Sequence, residues 1–247
     1  MSLYLFGLVL LGWCLIYPLT DFYVRFLNPT TVRKKNVSGR QLYLTFDDGP
    51  DPVYTPQILR VLAESEVPAC FFLVAAKAEQ YPQIVAEILR AGHEIGLHTI
   101  RHRHAYSMFA RASRASVASG KAALERLAGR PVVWFRPPWG ALNLFQFLTA
   151  RRLRLQIVLW SANARDWKAG TGRRGILQRL ARKIGSGAVV VLHDAGGEAG
   201  APQNTVAALP EFIAACRAGG YRFCSLNDGE ASQHVWSRCF TSGRRGH

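Results

Sequence analysis

Gln41-Leu42-Tyr43-Leu44-Thr45-Phe46-Asp47-Asp48-Gly49-Pro50 joins an apolar run to two adjacent carboxylates and then to a chain-breaking Gly-Pro pair. The run reads as a buried strand, and Gly49-Pro50 ends it sharply. Neighbouring carboxylates raise each other's proton affinity unless a cation lies near. The pair therefore calls for a cation, or for a division of labour between a ligand and a base. The alternative is that these acids cap the next helix, a common role for Asp.

Outward from this stretch the pattern repeats. Short apolar runs occur at 41–46, 69–75, 94–98, 132–136, 155–160, 188–193 and 222–226. Helical stretches lie between them, for example 55–65, 82–91, 107–127 and 173–184. Runs without alternation suggest a sheet buried on both faces, and strand–helix alternation suggests parallel strands. The fold class is α/β, and seven such units predict a barrel one strand short of the usual eight. Polar groups then fall at strand ends: Asp47 and Asp48, His98, Arg136, Asp166 soon after the fifth run, and His193 with Asp194. In a parallel barrel all those ends open on one face, where active sites form.

His98-Thr99-Ile100-Arg101-His102 spaces two imidazoles four apart, so on a helical turn they would share a face and hold one metal ion. With one Asp they make three protein ligands and leave a position for water, as a catalytic zinc site requires. The other histidines, His93, His104, His234 and His247, read as surface residues.

Composition narrows the partners. A hydrophobic content of 49% excludes general disorder, and the net charge of +15 asks for an anionic partner. No nucleic-acid fingerprint is present, and the basic residues are scattered rather than interleaved with aromatics. Anionic membrane lipid is the expected contact, with no nucleic acid and no protein partner. Arg173, Arg174, Arg179, Arg182 and Lys183 form one basic stretch that reads as a solvated helix face or a headgroup contact. The five cysteines include no CxxC pair, so neither a disulfide framework nor a zinc knuckle is expected. Cys70 and Cys224 fall in predicted strands as small buried apolar residues.

Residues 3–19 carry no charge and read as a short single-pass membrane anchor, with Trp13, Tyr17, Phe22 and Tyr23 at its interface. A cleaved leader would want a basic start and a small-residue cleavage site, and neither is present. The expected organisation is an anchor and interfacial segment at 1–27, a basic linker at 28–40, a catalytic domain at 41–228 and a tail at 229–247. Arg25, Arg33, Lys34, Lys35 and Arg40 would place that domain in the cytoplasm by the positive-inside rule. An outward-facing domain is the alternative, so the side stays open.

Five ordered motifs now coincide: Thr45-Phe46-Asp47-Asp48-Gly49-Pro50, His98-Thr99-x-x-His102, Arg136-Pro137-Pro138-Trp139-Gly140, Asp166-Trp167 and Leu192-His193-Asp194. The chain resembles the polysaccharide deacetylases, carbohydrate esterase family 4 with its NodB-like domain, over roughly residues 41–226. The resemblance implies a distorted seven-stranded (β/α) barrel and metal-dependent removal of acetyl from N-acetylated sugars. It implies Asp48, His98 and His102 as metal ligands, Asp47 as general base and Arg136 as its tether. It implies His193 as general acid and Asp166 as the carboxylate that orients it. The backbone N–H of Trp139 would hold the oxyanion, with Trp167 and Val191 at the substrate. The ion is expected to be Zn²⁺, although Co²⁺, Ni²⁺ or Mn²⁺ suit such ligands too.

The chain departs from the family pattern at Asn163, where Asp is usual, at Trp139, where Tyr or Phe is more usual, and at Leu97, where Asn is common. None of these changes removes a catalytic group. Two other readings remain open: a deacetylase or deformylase of a lipid-linked amino sugar at the cytoplasmic membrane face, and a non-catalytic sugar-binding relative.

Overall fold

A computed structural model of the chain describes residues 18–228. Its strands are β1 (Gln41–Asp47), β2 (Ala69–Leu73), β3 (Glu94–Leu97), β4 (Trp134–Phe135), β5 (Gln156–Ile157), β6 (Ala162–Asn163), β7 (Ala188–His193) and β8 (Arg222–Phe223). Its α-helices are α1 (Tyr54–Glu64), α2 (Ala75–Gln80), α3 (Pro82–Arg90), α4 (Ala110–Ala128), α5 (Leu144–Arg152), α6 (Gly172–Ala181) and α7 (Ala201–Ala218). The sheet runs β5-β4-β3-β2-β1-β7-β6, and β8 pairs with the first residues of β1. Every pairing between these strands is parallel.

The α/β class and parallel sheet hold, but the expected barrel is a curled sheet that its own strands do not close. β4, β5 and β6 have only two residues each. Between β5 and β6, which do not pair with each other, the chain crosses from one edge of the sheet to the other. Residues of the basic stretch 28–40, expected as a linker, bridge that gap. Val32 pairs with Val158 and Lys34 with Ala188. The N–H of Val32 donates to the Ile157 carbonyl at 2.9 Å, and the N–H of Leu159 donates back to Val32 at 2.7 Å. Lys35 is buried there, its ammonium over the Tyr43 ring and donating to the Asp228 carbonyl at 2.9 Å.

Alternation hides inside the apolar runs because both faces of the sheet are covered. Leu42, Leu44 and Phe46 of β1 pack outward in one cluster with Phe71, Leu73, Val190, Leu192 and the apolar sides of the helices. Tyr43 faces inward and packs with Cys70, Phe72, Trp134, Val158 and Val189. A period of two then carries Thr45 and Asp47 to the inner face. Pairing aligns Thr45 with Val191 and Asp47 with His193. The amphipathic helices α1 and α3 bury Ile58, Leu59, Leu62, Ile84, Val85 and Ile88 against the outer face.

One expectation changes. His93 is buried rather than on the surface, packed 5.7 Å from the Phe71 ring, with neither ring nitrogen hydrogen-bonded among the described residues. It sits in the turn between α3 and β3, against β2 and beside the end of α1. No helix among the described residues is long and apolar enough to cross a membrane, and most of the expected anchor, residues 3–17, lies outside the described residues. Residues 18–22 are helical and run into a π-helical turn, Tyr23–Leu27. Cys14, Cys239, His234, His247 and the tail from 229 also lie outside the described residues. Cys70, Cys216 and Cys224 are buried free thiols, as small apolar residues should be.

Candidate active site

β1 delivers Asp47 to the inner face at its last residue, and the chain then turns. Asp48 adopts φ +75°, which aims its side chain away from that of Asp47. The loop is pinned because the Val74 N–H donates to the Gly49 carbonyl at 2.9 Å and the Lys77 ammonium to the Asp48 carbonyl at 2.8 Å. A Cβ on Gly49 would collide with the Asp194 carboxylate, and one on Gly196 with the Asp48 carboxylate, so both positions require glycine. Neither acid of the pair caps the next helix. Asp51 does that, accepting from the N–H groups of Val53 at 2.8 Å and Tyr54 at 2.9 Å.

The two imidazoles converge by a different route from the expected helical turn. Residues 98–102 form a loop after β3, and Thr99 sits at φ +64°. That residue cannot belong to a right-handed helix. The loop is fixed by the N–H groups of Ala75 and Ala76, which donate to the Thr99 and Ile100 carbonyls at 3.0 Å, and by the Ile100 N–H, which donates to Ser116 at 2.9 Å. His98 Nε2 lies 3.2 Å and His102 Nε2 3.1 Å from Asp48 Oδ1. All three ligand atoms lie within 4.8 Å of one another.

This donor set fits a divalent cation. His98 Nδ1 lies 2.7 Å from the Arg136 carbonyl, which can only accept, so Nδ1 carries the proton and Nε2 presents a lone pair to Asp48. Asp48 Oδ1 is buried and has no hydrogen-bond donor among the described residues. Lone pairs from two rings and a carboxylate face one point, and such a point is stable when a cation sits there.

Arg136 stands behind Asp47 and is wholly buried. Its Nη1 donates to Asp47 Oδ1 at 2.6 Å and to Thr45 Oγ1 at 2.7 Å. Nε and Nη2 donate to the Val158 and Leu159 carbonyls at 3.1 and 3.0 Å, and the guanidinium lies 4.1 Å from the Phe72 ring centre. The carboxylate is thereby held in one orientation.

On the opposite flank, His193 Nδ1 donates to Asp166 Oδ1 at 2.9 Å, which leaves Nε2 as the outward nitrogen. Asp166 also accepts from the His193 N–H at 2.7 Å and from Thr205 Oγ1 at 2.9 Å. Burial alone would lower the imidazole pKa, but Asp166 outweighs it and raises it to about 9. The Trp167 ring meets His193 edge-on at 5.4 Å. Next to it, burial pushes the Asp194 carboxyl up to about 7, although Thr55 donates to it at 2.6 Å.

Asp47, Asp48, His98, His102, Trp139, Trp167, Val191 and His193 line one cavity of about 480 Å³. Arg136 and Asp166 are the buried supports behind it. Every site residue expected from the sequence is therefore at this cavity or directly behind it. Sequence reasoning missed Lys77, Trp160, Gly196 and Gly197, which also line it. Asn163 lines it too, having been noted only as a departure from the family pattern. The glycines were legible as turn formers, but Lys77 sits on a helix with no signal of its own. Trp139 is half exposed, with its ring 4.2 Å from His102 and 5.3 Å from His104. His104 thus borders the site, although it was expected at the bare surface.

The basic stretch on α6 and the turn after it behaves as a solvated face. All five side chains are exposed, and Arg173 pairs with Glu211.

Comparison with known proteins agrees with this geometry. A sequence profile described as polysaccharide deacetylase matches residues 34–158. A peptidoglycan-N-acetylglucosamine deacetylase of Bacillus cereus is 37% identical over 187 residues, 75% of this chain and 85% of that protein. A chitooligosaccharide deacetylase of Sinorhizobium fredii is 33% identical over 204 residues, 79% of this chain and 94% of that protein. A crystal structure of a peptidoglycan N-acetylglucosamine deacetylase in complex with 4-naphthalen-1-yl-N-oxidanyl-benzamide superimposes with TM-score 0.76 at 31% identity, covering 83% of this chain and 94% of that one. A CE4 family pseudoenzyme from Bacillus anthracis shares the fold at TM-score 0.73 and 24% identity. The fold alone therefore does not carry activity, which depends on the side chains at the site.

Proposed function

The chain belongs to the polysaccharide deacetylase family, whose named deacetylases hydrolyse N-acetyl amide bonds, and on that premise we propose that it removes acetyl from the amino sugars of a cell-envelope glycan with the help of one divalent metal ion. The observation that carries this reading is the convergence of Asp48, His98 and His102 on one point, between a tethered Asp47 and a carboxylate-backed His193.

Asp48 Oδ1, His98 Nε2 and His102 Nε2 would hold the ion, with Zn²⁺ the first choice for this ligand set. When bound, it would polarise the amide carbonyl and acidify a water molecule. Asp47, fixed by Arg136, takes the proton of the attacking water. The N–H of Trp139 supplies a donor to the oxyanion that develops on the former carbonyl oxygen. His193 Nε2 gives its proton to the leaving nitrogen, because an amine is too basic to depart as an anion. Asp166 keeps that imidazole turned and charged for the task. Val191, Trp139 and Trp167 shape the walls around the acyl group and sugar.

The test is acetate release from N-acetylglucosamine oligomers and peptidoglycan fragments, with and without a chelator. Chelator-sensitive release that returns on adding zinc supports the reading. Sugar binding without release would identify the chain as a binder.

Contact with anionic lipid belongs to the same proposal. Leu19, Phe22, Phe26 and Leu27 are exposed beside Arg25 on the segment that continues residues 3–17. An apolar face flanked by cations suits a headgroup region. Co-sedimentation with anionic but not neutral vesicles, lost in Phe22→Ser/Phe26→Ser, tests it.

A further inference from the structure

A second pocket, of about 430 Å³, lies beside the active site and shares the Trp160 wall with it; Arg25, Phe26, Arg33 and Leu159 complete it. Two guanidiniums and two aromatic rings form its lining. The N-terminal segment builds it and is tied to the active-site turn. Arg25 Nη2 donates to the Gly140 carbonyl at 3.0 Å, one residue after Trp139. Asp21 accepts from Arg25 Nε at 3.4 Å and from the Leu142 N–H at 3.2 Å. Arg33 Nη1 donates to the carbonyls of Val24 and Arg25. These bonds hold both forks in place, and they leave Arg25 Nη1 and Arg33 Nη2 without a protein acceptor among the described residues.

Paired guanidiniums with free nitrogens recognise planar or tetrahedral oxyanions. An aromatic wall common to both pockets suits a sugar chain that continues from one to the other. We infer that the Arg25–Arg33 pocket is an anion subsite, which takes a carboxylate or phosphate carried by the sugar unit or linkage next to the amide being cleaved. The inference rests on the deacetylase reading above and names its substrate class: an oxyanion-bearing glycan rather than a neutral oligomer.

The experiment compares kcat/KM for acetate release from four substrates. They are a neutral N-acetylglucosamine oligomer, an oligosaccharide of equal length bearing a carboxylate next to the target sugar, that oligosaccharide with its carboxylate amidated, and a diphosphate-linked amino sugar. The anionic substrates should be favoured by about tenfold or more, as expected for one charge-assisted contact. Amidation should abolish the preference, and salt should shrink it. Arg33→Gln should bring the ratio towards one, and Arg33→Lys should recover part of it. Preference for the carboxylate or for the diphosphate alone supports the subsite and identifies its source. Equal rates on all four substrates in the wild-type protein overturn the subsite while leaving the deacetylase reading intact. That comparison needs no variant, so a misfolded Arg33→Gln cannot blur it. Absence of release from every substrate would instead strike the enzymatic reading.

Discussion

Asp47 and His193 are direct partners in the parallel pairing of β1 with β7. Side chains at paired positions leave the sheet on the same face, roughly 5 Å apart. The proton acceptor and the proton donor of the proposed reaction thus share one rung of the ladder, on neighbouring strands. Their spacing is set by backbone hydrogen bonds rather than by loops.

Asp47→Asn should retain the bound metal ion and lower kcat by about 10²–10⁴-fold, the usual contribution of a positioned base. The amide oxygen still accepts from Arg136, so the fold should survive. Metal analysis and steady-state kinetics on the same preparation check this, and near wild-type turnover would end the assignment.

His98→Ala should weaken metal binding by more than about 100-fold, beyond what loss of a mere supporting group costs. The ring is buried and its Nδ1 bond to the Arg136 carbonyl disappears with it, so stability should fall as well. Metal content after dialysis decides the point. A full complement of ion in the variant would remove His98 from the ligand set.

The pH profile should report His193. Its pKa is raised to about 9 by Asp166, and the charged form is the useful one, so turnover should hold below that value and decline above it. In Asp166→Asn the largest raising influence is gone, leaving Asp47 and Asp48 to act against the burial that lowers it. The alkaline limb should then move down towards or below about 6.5, the unperturbed value. A limb that does not move would exclude Asp166 as the orienting group.

His93 should make the fold acid-sensitive. Burial lowers its pKa, so the unfolded chain binds the proton more readily. Stability is then complete above the unperturbed value of about 6.5 and falls as pH drops through the lowered folded value. His93→Leu should flatten the difference in melting temperature between pH 7.5 and pH 5.5. An unchanged difference would show that other groups set it.

Much of this was legible in the residues, and the rest was hidden for physical reasons. β1 and β7 stood out because long buried strands leave long apolar runs. β4 and β5 fell inside the expected runs 132–136 and 155–160, but β6 fell in none, since two paired residues leave no periodic signature. The inner and outer sets of β1 could not be separated by polarity, because Tyr43 inside and Leu42 outside are both apolar. The convergence of His98 and His102 was expected, but on a helix. A left-handed Thr99 brings the rings together instead, and nothing about that threonine announces it. Asp51 rather than the Asp47–Asp48 pair takes the capping role, a choice that depends on where the chain turns after Pro50. Arg25 and Arg33 looked like charges flanking an apolar segment, and only folding brings them against Trp160.

Arg136 does two jobs with one side chain: it aims Asp47, and it satisfies the Val158 and Leu159 carbonyls at the sheet's unclosed seam. Losing it would strand a carboxylate and two carbonyls away from water, a cost of about 3–5 kcal/mol for the ion pair alone. Descendants of this sequence that abandon chemistry are therefore expected to change at the rim, among His102, Trp139 and their loops, while keeping this arginine. Its survival in a silent homologue would testify to architecture and say nothing about turnover.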